Sequence, residues 1–419
     1  MIKYTELNDH QLGNLFCFLD RSTTHHLDKL KSKYNISSGG KGLNEYRQKI
    51  LDNVMMEQIP FNEFLNWLAD VDMEGNSSIF IYEPENSEVF NNNTIDKTFD
   101  KLSKRIQPLY SIDAQTLKKI TLVKVNKDEE KKQLVLTFAA PAQLQIKNKE
   151  KSETVLKNHV YLAYFIIDYN LKHIVLITHP TSNLISLAGE TKKEWDDLTW
   201  ILLHAFNNEV FKIELKDPDW LIDALFLITE EYFHHHNPLI DKKMNEIKKS
   251  VLPNLLKTIQ GTDTSFAKDE YKYRFERALV NMFENELTTS YGRINIQAPF
   301  EVFLHQSDKG VTEFRANSRG RALNYADAGE IVKLMWDTGD IASLGIIYTQ
   351  IEQNELLKKH PYKISKTNKY YSFKKYNTSS TKKEVIDDVL QIFSKYKQRV
   401  QSSSASIANS KQGTDNAET

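Results

Sequence analysis

The stretch EEYFHHHNPLID, Glu230 to Asp241, sets three imidazoles behind two carboxylates. Both groups are ligands for borderline divalent ions, and the pairs Glu230/His234 and Glu231/His235 stand at i,i+4, one helical turn apart. The spacing is not HExxH, and it places no two histidines on one helix face. A helix end accounts for the same residues: histidines there complement the dipole and the last carbonyls, and Asn237-Pro238 is a stop signal. The expectation is capping, with no metal ligand.

A second candidate lies upstream in FKIELKDPD. Period-2 alternation points Glu214 and Lys216 to one side of a strand expected at Val210 to Leu215. An acid and a lysine so spaced serve metal-dependent nucleases of the PD-(D/E)xK type. There the acid holds Mg2+ and the lysine steadies the attacking water or the phosphate. Asp168, in a hairpin turn, is the partner acid such a site needs, although the "PD" element is missing.

The third candidate is basic and aromatic. In FRANSRGRALN, Arg315, Arg319 and Arg321 flank a loop with no acid between Glu313 and Asp327, and Lys358 to Lys383 holds nine lysines with no aspartate or glutamate. Lysine and arginine offer phosphate contacts, and aromatic faces stack on bases. The nucleic-acid-binding set expected is Arg315, Arg319, Arg321, Lys366, Lys369, Lys374 and Lys375, with Tyr370 and Tyr371 for stacking. A lysine-guarded edge strand is the other reading of the same run.

Composition limits the rest. The 419 residues carry 55 Lys+Arg against 56 Asp+Glu, so polyanion binding has to come from local asymmetry rather than net charge. The single cysteine, Cys17, excludes a disulfide framework and a Cys-based zinc site within one chain. Only 14 glycines, with no GxSxG and no GxGxxG, argue against serine-hydrolase and dinucleotide chemistry. The opening MIKYTELNDHQ lacks the apolar run of a signal peptide, and no stretch approaches about 20 apolar residues, so a cytoplasmic protein outside the membrane is expected.

These residues need elements to position them. Leu12, Leu15, Phe16 and Leu19, and later Phe61, Phe64, Leu65 and Leu68, recur at helical spacing. HVYLAYFIIDYNLKHIVLITHP reads as a hairpin of β-branched and aromatic residues. Helices are expected over 190–207, from DPDW through Phe233, over 241–260, 269–287, 325–336 and 383–400, and strands at 293–298, 301–306 and 311–316. The fold class is α+β: a small all-helical N-terminal domain (1–85), then a mixed antiparallel-sheet and helix body of an α+β domain (95–290) and a second α+β segment (291–400). A disordered polar tail (401–419) follows.

Two resemblances bear on function. Leu27, Leu30, Lys31, the Ser38-Gly39-Gly40-Lys41 turn and Arg47 resemble the SAP module, a small DNA-binding motif, with Asn44 and Glu45 where that motif carries apolar residues. The order of parts, with VYLAYFIIDY and VFKIEL, is similar to the centromere protein N family, which implies a DNA- and nucleosome-binding scaffold without catalysis. The expected function is a non-catalytic nucleic-acid-associated binding or scaffold protein without a cofactor. The alternatives are a metal-dependent nuclease, in defence against foreign DNA, using Asp168, Glu214, Lys216 and Mg2+, and an adaptor that binds a protein partner through residues 1–85.

Overall fold

The computed structural model describes residues 3–36, 41–147, 153–179, 181, 183–191, 195–262, 269–294, 298–308, 313–323, 332, 340–351, 356–377 and 381–415. The fold is α+β, and it divides into two compact units. Unit 1 comprises 1–218, 367–374 and 378–387, and unit 2 comprises 219–366, 375–377 and 388–419. The division falls at Pro218/Asp219, where the sequence places its boundaries near residues 85 and 290.

Unit 1 opens with four helices: α1 (Asp9–Leu19), α2 (Thr24–Tyr34), α3 (Leu43–Met55) and α4 (Phe61–Asp70). Asn8 caps α1 by accepting from Gln11 N–H, and the Gln11 side chain answers the Asn8 amide. These helices are tied to the strands that follow: Arg21 pairs with Asp72 at 2.7 Å and donates to the Val160 carbonyl, and Lys124 pairs with Asp70.

Beyond them come β1 (Ser78–Tyr82), α5 (Asn92–Ser103), β2 (Thr121–Asp128), β3 (Gln133–Lys147), β4 (Thr154–Asp168), β5 (His173–Thr178), β6 (Leu184–Leu187), β7 (Glu190–Thr191) and α6 (Trp195–Glu209). The antiparallel order is β7-β6-β3-β4-β5-β1-β12, with β12 (Tyr371–Lys375) and with β2 also on β3. The expected hairpin is present as β4 and β5, Ala163 opposite Thr178.

The segments read separately at 133–139 and 143–146 form one strand through Pro141. Pro141 stands between the last β2 pair at Ala139 and the first β6 pair at Ala142, so its missing N–H interrupts no ladder. The core of this unit packs Phe80, Tyr82, Phe138, Phe165, Leu202 and Phe206 between sheet and helices.

Unit 2 begins with α7 (Trp220–Phe233) and α8 (Pro238–Glu246). A π-helical turn at Ile247–Val251 leads into α9 (Leu252–Thr262), and α10 (Asp269–Tyr291) follows. Its sheet runs β11-β10-β8-β9, from β8 (Glu301–Asp308), β9 (Glu313–Asn317), β10 (Asp340–Ile351) and β11 (Leu357–Lys366). Helix α7 packs on β8 and β10.

The last helix, α11, spans Lys383–Asp415 and crosses the division at residue 387. Within unit 2 its Phe393 and Tyr396 rings meet Phe300. It continues through most of the stretch expected as a disordered tail, since serine and alanine there allow a helix to run on. The strand expected at 210–215 is instead an extended segment with one bridge, Pro84 to Leu215. The helix expected at 325–336 lies outside the described residues apart from Val332.

Candidate nucleic-acid interface

In unit 2, the arginine loop is a defined turn. After β9 places Arg315 opposite Gln306, Arg319 and Gly320 both take positive φ (54° and 83°), and the Asn317 side-chain oxygen accepts from Arg319 N–H at 2.8 Å. Ser318 N–H donates to the Phe303 carbonyl and Leu323 N–H to the Val302 carbonyl, which pins both ends of the turn to β8. A Cβ on Gly320 would stand 3.1 Å from the Tyr376 ring, so the turn lies directly against that residue. Tyr376 also meets the Phe303 ring at 4.8 Å, and its amide donates to the Pro361 carbonyl on β11. Arg315, Arg319 and Arg321 are all exposed, and among the described residues no acid pairs with them.

Lys375 precedes Tyr376 in the chain and packs on a different ring. Its ammonium sits 5.9 Å from the Tyr362 ring centroid. Burial first, and then the Lys358 charge, push its pKa down to about 8. Lys366 stands apart from this group in role, since its ammonium reaches Asp219 at 3.4 Å.

Unit 1 holds the other expected contacts, and here two expectations need correction. Tyr370 and Tyr371 are 4% and 2% exposed, so neither offers a face to a base. Tyr370 is wedged among Phe80, Tyr82 and Trp200 at ring separations of 5.7 to 6.0 Å. Burial pushes both phenols up. Successive strand residues point to opposite faces, and this strand is covered on both.

An accessible aromatic beside this run is Trp200, 41% exposed, with the Lys369 ammonium 5.8 Å from its ring centroid. Trp200 lines an open cavity of about 770 Å3 with Lys118, Lys119, Ile120 and His204. The signal for it was its place on α6, one residue beyond the buried Leu198 and Thr199. Lys374 is held by Asp196 at 2.9 Å.

The nuclease residues are not brought together. Asp168 ends β4 as a buried turn acceptor: one oxygen takes the Asn170 and Leu171 amides at 3.1 and 2.7 Å, and the other takes the Gln133 side chain at 2.9 Å. Burial pushes its pKa up. Glu214 and Lys216 are exposed and flank Leu215, held by Glu85 N–H to Glu214 O and Lys216 N–H to Glu83 O. Glu214 lines a cleft with Pro84, Asn86, Val89 and Lys212 that includes neither Asp168 nor Lys216.

The SAP-like segment shows a similar outcome. Arg47 spends its guanidinium on the Asp20 and Ser22 carbonyls, and Ser38 to Gly40 lie outside the described residues.

The histidines cap by a route different from the one expected. Helix α7 ends at Phe233, and the rings turn forward: His234 Nδ1 accepts from His236 N–H and His235 Nδ1 from Asn237 N–H, both at 3.0 Å. The His236 ring approaches a helix carbonyl, that of Glu231, at 3.4 Å, and the His234 backbone N–H donates to the Glu230 carbonyl at 2.8 Å.

No known protein family's sequence profile matches the chain, and no curated protein matches it. Among solved structures, an RNA-binding light-oxygen-voltage receptor aligns at 8% identity over 80% of this chain and 99% of that one, with a TM-score of 0.08. Similarity at that level carries no argument. No described helix is long and apolar enough to cross a membrane.

Proposed function

We propose that this protein binds nucleic acid without catalysis, through the unit 2 patch of Arg315, Arg319, Arg321, Lys375 and Tyr376. The observation that carries the reading is the seating of the arginine turn against Tyr376, where a Cβ on Gly320 would stand 3.1 Å from the ring. Exposed guanidiniums beside a half-exposed aromatic supply phosphate contact and a stacking face at one place. The chain's formal net charge is −1, so this local concentration of cations is what an approaching polyanion meets.

The test is fluorescence anisotropy with labelled single-stranded RNA, single-stranded DNA and duplex DNA over a salt series. Each phosphate contact contributes about one unit to the slope of log K against log salt, so Arg319→Ala/Arg321→Ala should lower that slope by about 2. Lys395→Ala, on an exposed face of α11, should leave it alone. An unchanged slope in the double variant sinks the reading.

A further inference from the structure

The segment following α7 carries a site of a different kind. His234, His235 and Asp241 each offer a donor atom, and all three atoms lie within 4.8 Å of one another. His235 is buried, and its Nε2 stands 3.6 Å from Asp241 Oδ1 and 3.8 Å from Glu284 Oε1. The carboxylates come from separate elements, the first turn of α8 and the middle of α10. Their convergence on one imidazole is therefore a product of the fold. Asn237 fixes the approach of α8 by accepting from Leu239 N–H at 3.0 Å and donating to the Gly292 carbonyl at 2.8 Å, just past the end of α10.

We propose that His234, His235 and Asp241 bind one divalent transition-metal ion of the Zn2+ class, with Glu284 beside His235. Two imidazoles with carboxylate oxygens match the ligand preference of that ion, and tetrahedral bonds near 2.1 Å require donors about 3.4 Å apart. The separations around His235 exceed this by only a few tenths of an ångström. A cavity of about 250 Å3 opens onto the group, so an ion has a route in and room for a bound water.

The metal-free geometry adds a specific consequence. Both Nδ1 atoms accept backbone N–H groups, which leaves a neutral ring protonated at Nε2, in His235 the nitrogen beside Asp241 and Glu284. An ion taking the Nε2 lone pairs moves each ring proton to Nδ1, with no net proton release, and the amides of His236 and Asn237 lose their acceptors. Metal loading must therefore loosen the turn that now caps α7, where His236 sits at positive φ (51°). The competing account is that Lys248 and Arg277, which line the same cavity, already balance Glu230, Asp241 and Glu284.

Two measurements on the full-length, EDTA-treated and tag-free chain decide between them. Zn2+ titration by calorimetry should give one saturable site, and His234→Gln and Asp241→Asn should each weaken it about 100-fold. Asp223→Asn, exposed on α7, should not. Hydrogen exchange on the unaltered protein should show faster exchange at His236 and Asn237 once Zn2+ is bound, a result that needs no variant to fold. Absence of a one-to-one site, an affinity in both variants unchanged from that of the unaltered chain, or unchanged exchange at these amides overturns the proposal.

Discussion

His305 on β8 is fully buried, and among the described residues neither of its ring nitrogens has a hydrogen-bond partner. Burial pushes its pKa down to about 4. The unfolded ring takes up a proton near about 6.5, so between those values the unfolded chain binds more protons than the folded one. The contribution to stability is full above about pH 6.5 and is lost as pH falls towards 4. His305→Leu removes two unsatisfied buried nitrogens and should raise stability at pH 7 by about 1 kcal/mol. Its advantage should widen at pH 5. Urea denaturation at both pH values checks this, and a gain of equal size at the two would show that the folded ring is not held neutral.

Legibility at this scale was uneven for a physical reason. The exposure of Arg315, Arg319 and Arg321 followed from a loop rich in small and polar residues. Tyr370 and Tyr371 misled because residue type says nothing about whether a strand is covered on one face or two.

Among elements, the β8–β10 pairing depends on one missing side chain. A Cβ on Gly345 would lie 2.5 Å from Leu304 Cβ and 2.7 Å from the Phe303 ring, contacts a folded chain does not tolerate. Gly345→Ala should therefore cost about 1–3 kcal/mol, read as a lowered urea midpoint with an unchanged slope. The aromatic Phe303 lies beneath the arginine turn, so a shift here would also be felt at Tyr376.

Helices α1, α4, α7 and α10 were readable from apolar spacing, and so was the β4–β5 hairpin. Strand β10 was not, because DIASLGIIYTQI mixes small, polar and apolar residues without a clean alternation. The Glu214 segment showed the opposite error. It alternates like a strand, yet among the described residues only a single bridge at Leu215 pairs it, and its acid and lysine are exposed.

Across the whole molecule, neither unit is a continuous stretch of chain. Unit 1 needs residues 367–374 and 378–387 in addition to its first 218, because β12 pairs along β1 and Tyr370 fills the core beside Phe80 and Tyr82. A chain ending at Pro218 should consequently unfold at lower urea than unit 1 does in the full protein, and adding a synthetic peptide of residues 365–390 should recover part of the loss. Equal midpoints for the truncated and full chains would show that β12 contributes nothing to unit 1. The α+β class was visible in the sequence, whereas this division was not, since apolar periodicity reports which face of an element is buried and not which distant segment buries it.

The threading of β12 also matters while the chain is being made. When residue 218 has left the ribosome, β1 has β5 on one side and an open, apolar edge on the other, and it stays so until residue 367 emerges. Such an edge is a template for pairing with another nascent chain. Synthesis of this protein thus carries an interval of exposure set by residues 219–366, during which a slow ribosome or a missing chaperone should favour aggregation over folding.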